Sequence, residues 1–426
     1  MNPTCDPSLK SWIPVSADSD FPIQNLPFGV FCRRSGEVAV GVAIGDQVLD
    51  LAVLHGAGHF SGTPVATDNV FARPTLNDFL ACGRAAGSAV RAVVSSLLAE
   101  GNATLRDDTT LRNQTLVPQS DVEMLLPTQV GNYVDFYSSK EHATNVGSMF
   151  RDPSNPLLPN WVHIPVGYNG RASSVIVSGV DVRRPMGQTK ADDADAPTYG
   201  PCRLLDFELE VGFITGSGNE LGAQIPTDRA ADHIAGMVLL NDWSARDIQK
   251  WEYVPLGPFL GKTFATSISP WLVTLDALEP FRVPGPQQDP QPLPYLQFSG
   301  DWAYDMQLEV WLQAADMSEP VRLTKTNFRY MYWNMLQQLA HMTVNGTNVL
   351  PGDLYGSGTV SGPTEDSRGS MLEICWKGTK PLTLPNGQQR KFIADGDTVI
   401  MRGWCQGDGY RIGFGELRST VLSASE

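Results

Sequence analysis

Positive charge is scarce in this sequence: 31 lysines and arginines stand against 46 aspartates and glutamates, a net charge of −15. An acidic surface repels phosphate backbones and anionic headgroups, so no nucleic acid partner is expected. Charged residues of both signs reach only 18% while 42% of the chain is hydrophobic, which excludes intrinsic disorder as the main state. Long apolar runs are missing too. No segment reaches the roughly 20 apolar residues of a spanning helix, and the first dozen residues lack the basic and then apolar stretches of a secretory signal. A soluble, cytoplasmic protein with no membrane partner is expected. Cys5, Cys32, Cys82, Cys202, Cys375 and Cys405 contain no CxxC pair, so reduced thiols are expected rather than disulfides or a zinc knuckle. There is no HExxH and no GxSxG elbow. Gly216-Ser-Gly218 and Gly407-Asp-Gly409 lack the strand–turn–helix setting and the Lys-Ser/Thr of a phosphate-binding loop.

With 426 residues there is room for two or three domains, and 40 glycines with 31 prolines point to many short strands joined by turns. The first part carries a strand-like run at 38–44 and one clear helix, where Val90, Val93, Val94, Leu97 and Leu98 form an apolar stripe and Gly101 is the expected C-terminal cap. It holds no cluster of chemically useful residues. Pro118-Gln-Ser-Asp121 reads as a connector, which places a domain boundary near residue 118. Beyond it, β-branched and aromatic runs at 174–178, 207–213, 306–312 and 371–376 read as strands of a mainly β domain. The stretch 284–292 reads as a surface loop and 327–341 as one amphipathic helix ended by Asn345-Gly346.

The densest chemistry lies in Asp206-Phe-Glu208-Leu-Glu210-Val-Gly-Phe213. Strand alternation sends Phe207, Leu209, Val211 and Phe213 to one face and the three acids to the other. Such a row is either a solvated strand face or, if further carboxylates join it, half of a cage for a hard cation. Asp242, at the start of a segment in which Arg246, Gln249 and Tyr253 would share a helix face, either caps that helix or joins the cage. Asp135 and His142, seven apart, share a face if their segment is helical. The other histidines, His55, His59, His163, His233 and His341, read as structural.

Taken in order, several motifs resemble those of the fumarylacetoacetases across nearly the whole chain: 135–147, 165–174, 205–210, 241–253 and 407–415. What this resemblance implies is specific. The fold would be mainly β (α+β), with a small SH3-like β-barrel N-terminal domain at 1–118 and a larger mixed β-roll catalytic domain at 119–426. The enzyme would be a cytoplasmic homodimeric hydrolase acting on one small-molecule substrate, cleaving a carbon–carbon bond of 4-fumarylacetoacetate to give fumarate and acetoacetate, the last step of tyrosine and phenylalanine catabolism. Carried over by the resemblance, Asp135, Glu208, Glu210 and Asp242 are the ligands of a Ca²⁺ or Mg²⁺ ion, and Lys262 and Thr266 belong with Asp242 to a secondary metal site. His142 is the general base, oriented by Glu373. Arg246, Gln249 and Lys262 stabilise the oxyanion. Tyr137, Arg151, Tyr168, Gln249, Tyr253 and Thr359 contact substrate. The alternatives are another β-diketone or acylpyruvate hydrolase or a decarboxylase of the same superfamily, and a non-catalytic Ca²⁺-binding protein, in which His142, Glu373 and Lys262 would have no use.

Overall fold

Alternating apolar residues at Phe28–Arg33 and Val38–Ile44 build the first sheet, whose five antiparallel strands run in the order Leu116–Pro118, Gln47–Asp50, Val38–Ile44, Phe28–Arg33 and Val122–Leu125. The structure, a computed structural model, describes residues 2–425. The expected helix extends from Arg84 to Leu98 and lays Val90, Val94, Leu97 and Leu98 against this sheet's core. It ends at Ala99, which turns extended, rather than at Gly101.

An eight-stranded sheet forms the centre of the rest of the chain. Its main path runs Gly167–Asn169, Tyr133–Phe136, Leu354–Gly356, Leu209–Thr215, Ile234–Asp242, Thr266–Ile268 and Val175–Val177. Leu209, Val211 and Phe213 point to one face, as their alternation requires, and pack with Leu308, Val310, Val399, Met401 and Phe414 of a second, five-stranded sheet. On the opposite face Ile214, Val238, Leu240 and Leu354 join the core of the first hundred residues. The large sheet is thus covered on both sides, and the architecture is mainly β.

Three sequence readings change. The apolar run at 371–376 is a short helix, Met371–Ile374, because Ser370 caps it and receives the Glu373 N–H. The helix expected over 327–341 spans Met335–Thr343. A capping box between Asn334 and Gln337 starts it, and the residues to Asn327 belong to a strand. Asp135 and His142 share no helix, since Asp135 lies within the strand Tyr133–Phe136 and His142 in the first turn of the helix Lys140–Phe150. All six cysteines are free, and no described helix is long and apolar enough to cross a membrane.

Candidate active site

Strand register brings the acids together. Glu210 lies on Leu209–Thr215, Asp242 ends the neighbouring Ile234–Asp242, and Glu208 sits just outside the ladder in a bridge to Ser370. Asp135 comes from two strands away, separated from Glu210 by the strand Leu354–Gly356, where Gly356 stands opposite both Asp135 and Gly212. A Cβ on Gly356 would lie 2.7 Å from Asp135 Oδ1 and 2.9 Å from Glu210 Oε2, so only glycine leaves room for the two carboxylates. One oxygen each from Asp135, Glu208, Glu210 and Asp242 falls within 4.8 Å of the others, and all four residues are buried. Asp242 is therefore the last residue of a strand and does not cap the following helix, which begins at Arg246.

Four buried acids this close require compensation. Lys262 supplies part of it, donating to Glu208 Oε2 at 2.6 Å and to Asp242 Oδ2. Arg246 pairs with Glu208 Oε1 at 2.7 Å. Burial pushes the Glu208 carboxyl up, but Lys262 and then Arg246 hold it below the usual carboxylate range. The opposite holds for Glu210 and Asp135, which burial and the neighbouring carboxylates drive well up. Asp135 Oδ1, Glu210 Oε1 and Asp242 Oδ1 are buried without a hydrogen-bond partner. An all-oxygen donor set with unpartnered buried oxygens fits a hard divalent cation, which would neutralise what Lys262 and Arg246 leave over. Tyr168 closes one side, donating to Asp135 Oδ2 at 3.0 Å or Asp242 Oδ2 at 3.1 Å.

Beside the acids lies a hydrogen-bonded pair. Ser139 caps the helix Lys140–Phe150 and accepts from the His142 N–H, which fixes the backbone of the imidazole. His142 Nδ1 is 2.6 Å from Glu373 Oε2, and both side chains are buried. Burial raises the Glu373 carboxyl, yet the imidazole and the hydrogen bonds from Asn145 and Ser370 bring it below its ordinary value. An ionised carboxylate only accepts, so Nδ1 carries the proton and Nε2 is left as the basic nitrogen. Asn145 Nδ2 and Ser361 Oγ each donate to Glu373 Oε1 at 2.9 Å, and Ser370 Oγ donates to Oε2 at 2.9 Å. The Tyr137 ring stands edge-on to His142 with centroids 5.2 Å apart. A histidine with one fixed tautomer next to a polyanionic cage can take a proton from water while the cage holds a cation.

Residues 24–127 match the family model described as fumarylacetoacetase N-terminal, and residues 132–422 match that described as fumarylacetoacetate (FAA) hydrolase C-terminal. The chain belongs to the fumarylacetoacetase family. Fumarylacetoacetases similar to it include those of Homo sapiens, 58% identical over 97% of this chain and 99% of that protein, and of Dictyostelium discoideum, 54% identical over 98% and 99%. The Arabidopsis thaliana fumarylacetoacetase is 52% identical over 97% of this chain and 98% of its own. Among solved structures, a fumarylacetoacetate hydrolase from Exiguobacterium antarcticum superposes with a TM-score of 0.51 at 15% identity, covering 93% of this chain and 99% of that one. That likeness concerns the fold. The chain is a hydrolase, as its family is.

Several expected fumarylacetoacetase-family residues meet directly: His142 with Glu373, Lys262 with Glu208 and Asp242, Tyr168 with Asp135, and Arg246 Nη1 with Gln249 Oε1 at 3.5 Å. Thr266 lies opposite Asp242 in the strand pairing. Thr359 is buried with its hydroxyl unpartnered, one residue after Gly358, whose N–H reaches Glu210 Oε2 at 2.9 Å. Tyr253 is half exposed at the end of the helix Arg246–Glu252, and Arg151 is exposed and donates to the Pro156 carbonyl, so neither touches the buried cluster. Asp152 accepts from Ser154 and makes no ion pair with Arg151. Sequence reasoning missed Asn145, Ser361, Ser370 and Gly356. Two signals were present: Ser370-x-x-Glu373 is a capping pattern, and Asn145 follows His142 at helical i+3 spacing. Asp206, expected to share the acid face, instead binds Arg246.

Proposed function

We propose that Asp135, Glu208, Glu210 and Asp242 hold a divalent cation, Ca²⁺ or Mg²⁺, beside a histidine base in an enzyme that hydrolyses 4-fumarylacetoacetate. The observation that carries the reading is the buried His142–Glu373 pair next to four convergent carboxylates. Water adds across the carbon–carbon bond adjacent to a ketone. Its hydroxyl goes to the fumaroyl carbonyl carbon, the bond to the acetoacetate carbon breaks with its electron pair, and that carbon is finally protonated. His142 Nε2 takes the proton from the attacking water, and Glu373 stabilises the imidazolium through Nδ1. A bound divalent cation would supply Lewis-acid polarisation of substrate oxygen. Arg246 and Lys262, with Gln249, offset the negative charge that develops on the attacked carbonyl.

Tyr137, Arg151, Tyr168, Gln249, Tyr253 and Thr359 are assigned to substrate. The planar fork of Arg151 suits a carboxylate end of the diketone, and its exposure at the rim agrees with reading the part furthest from the buried cluster. A secondary metal contact through Lys262 and Thr266 belongs to the same reading, supported by the position of Thr266 opposite Asp242. So do a homodimeric, cytoplasmic enzyme of tyrosine and phenylalanine catabolism and the division of the chain near residue 118, with the strand Val122–Leu125 handed across to the N-terminal sheet. The test is cleavage of fumarylacetoacetate by His142→Ala. Turnover is expected to fall about 10²–10⁴-fold while calorimetric Ca²⁺ binding stays at the wild-type value. A wild-type rate in that variant would remove the base.

A further inference from the structure

Asp206 is fully buried and belongs neither to the carboxylate cage nor to the base pair, yet its contacts join the two. It ends the strand Leu205–Asp206, which pairs with Ser244–Ala245 and so lies beside the start of the helix that carries Arg246. Its Oδ2 accepts from Arg246 Nε at 2.8 Å and lies 2.8 Å from Nη2, the same nitrogen that sits 2.7 Å from Glu208 Oε1. In the opposite direction Oδ1 accepts from the Met371 N–H at 2.7 Å and Oδ2 from the Leu372 N–H at 3.1 Å. Those are the first two residues of the helix Met371–Ile374, which bears Glu373.

A helix of four residues is not self-supporting, and the direction of its third residue depends on what captures its free N–H groups. Ser370 takes the Glu373 N–H and Asp206 takes the other two. If Asp206 served only to neutralise Arg246, the Glu208 carboxylate already in contact would do so in part, and the two backbone bonds would have no purpose. We propose that Asp206 is a positioning residue that locks the Arg246 guanidinium and the Glu373–His142 pair into one frame, so that the oxyanion-stabilising cation and the base keep a constant separation. This rests on the roles given above to His142 and Arg246.

Asp206→Asn is isosteric but turns an NH₂ toward at least one of the three donors that Asp206 accepts from. Its kcat should fall about 10²-fold, the order expected for a misplacement of about 1 Å. KM should stay within about twofold of wild type, and Ca²⁺ binding by calorimetry should be unchanged. Combined with Arg246→Lys, the double variant should lose less than the product of the two single losses, because both act through one contact. Asp206→Glu, which keeps the charge but not the distance, should show the same selective fall in kcat. A wild-type kcat in either folded variant, a loss confined to KM, or fully multiplicative losses would overturn the proposal. Failure of both variants to fold would do so as well, by reducing Asp206 to a structural role. A wild-type rate in His142→Ala refutes the base assignment on which this inference rests, whereas normal dependence on His142 with an unaffected Asp206→Asn refutes this inference alone.

Discussion

Glu373 shows burial and hydrogen bonding competing over one proton. Desolvation favours the neutral acid, but the imidazole of His142 and donors from Asn145 and Ser370 favour the anion and prevail. The folded-state value therefore lies below the ordinary 4.5. A group shifted in this direction contributes stability above its unfolded pKa and loses it as pH falls through the folded value. Glu373→Gln is expected to destabilise the protein by about 1.5–3 kcal/mol at pH 7, as for hydrogen bonds to a charged group, and the gap to wild type should close in acid. Thermal denaturation of both proteins at pH 7 and near pH 3.5 measures it, and a gap constant with pH would refute the ionised assignment. At this scale the sequence was legible where period two governs: Phe207, Leu209, Val211 and Phe213 enter the core and Glu208 and Glu210 face the cluster. Asp206 escaped that rule because its short strand pairs elsewhere and leaves the ladder before Leu209.

Among the elements, the strand Leu354–Gly356 has the least apparent chemistry, since it contributes an absence of side chain. Replacing Gly356 by alanine would press a methyl against Asp135 Oδ1 and Glu210 Oε2. The carboxylates must then splay, and Ca²⁺ affinity is expected to fall about 10–100-fold, the range seen when groups supporting metal ligands are lost. Isothermal titration of Gly356→Ala would show it, and unaltered affinity would mean that the cage tolerates the displacement. This strand was not legible in advance, because three residues carry no period and the function of Gly356 lies in its partners across the sheet. The helix at Met371 was misread for a related reason. Met371, Leu372, Ile374 and Trp376 look like a half-buried strand, and what makes the segment helical is a cap at Ser370 and acceptors on Asp206, 165 residues away. Longer elements with a full period, such as Arg84–Leu98 and Gln307–Gln313, were read correctly in type.

The whole molecule is tied together across its length. Phe28 and Leu272 exchange backbone hydrogen bonds at 3.0 and 2.7 Å, and Val30, Val40 and Val42 share one core with Val238, Leu240 and Ile268. Near the C-terminus, Arg411 donates to Asp20 at 2.6 Å and Gly413 accepts from Asn25 at 2.7 Å. Because the core of the first hundred residues is completed by strands of the large sheet, neither part is expected to melt alone. Scanning calorimetry should record a single endotherm whose calorimetric and van't Hoff enthalpies agree; two resolved transitions would show that the parts unfold separately. Composition and turn density announced a mainly β chain, but nothing local in the sequence announced these clasps, since each joins residues hundreds of positions apart.

The strand at 354–356, inserted between Tyr133–Phe136 and Leu209–Thr215, also sets a timetable for biosynthesis. A ribosome adds roughly 5–20 residues per second, so the strand at 209 waits on the order of ten seconds before residue 356 is made. Throughout that interval two facing strand edges, one of them carrying Glu210, stand unpaired in the nascent chain, a template for wrong pairing. Net negative charge and the buried acids along those edges repel a second copy of themselves. The same carboxylates that would later hold a cation would then act first as gatekeepers, opposing pairing of the open sheet with its neighbours on the polysome until its missing strand arrives.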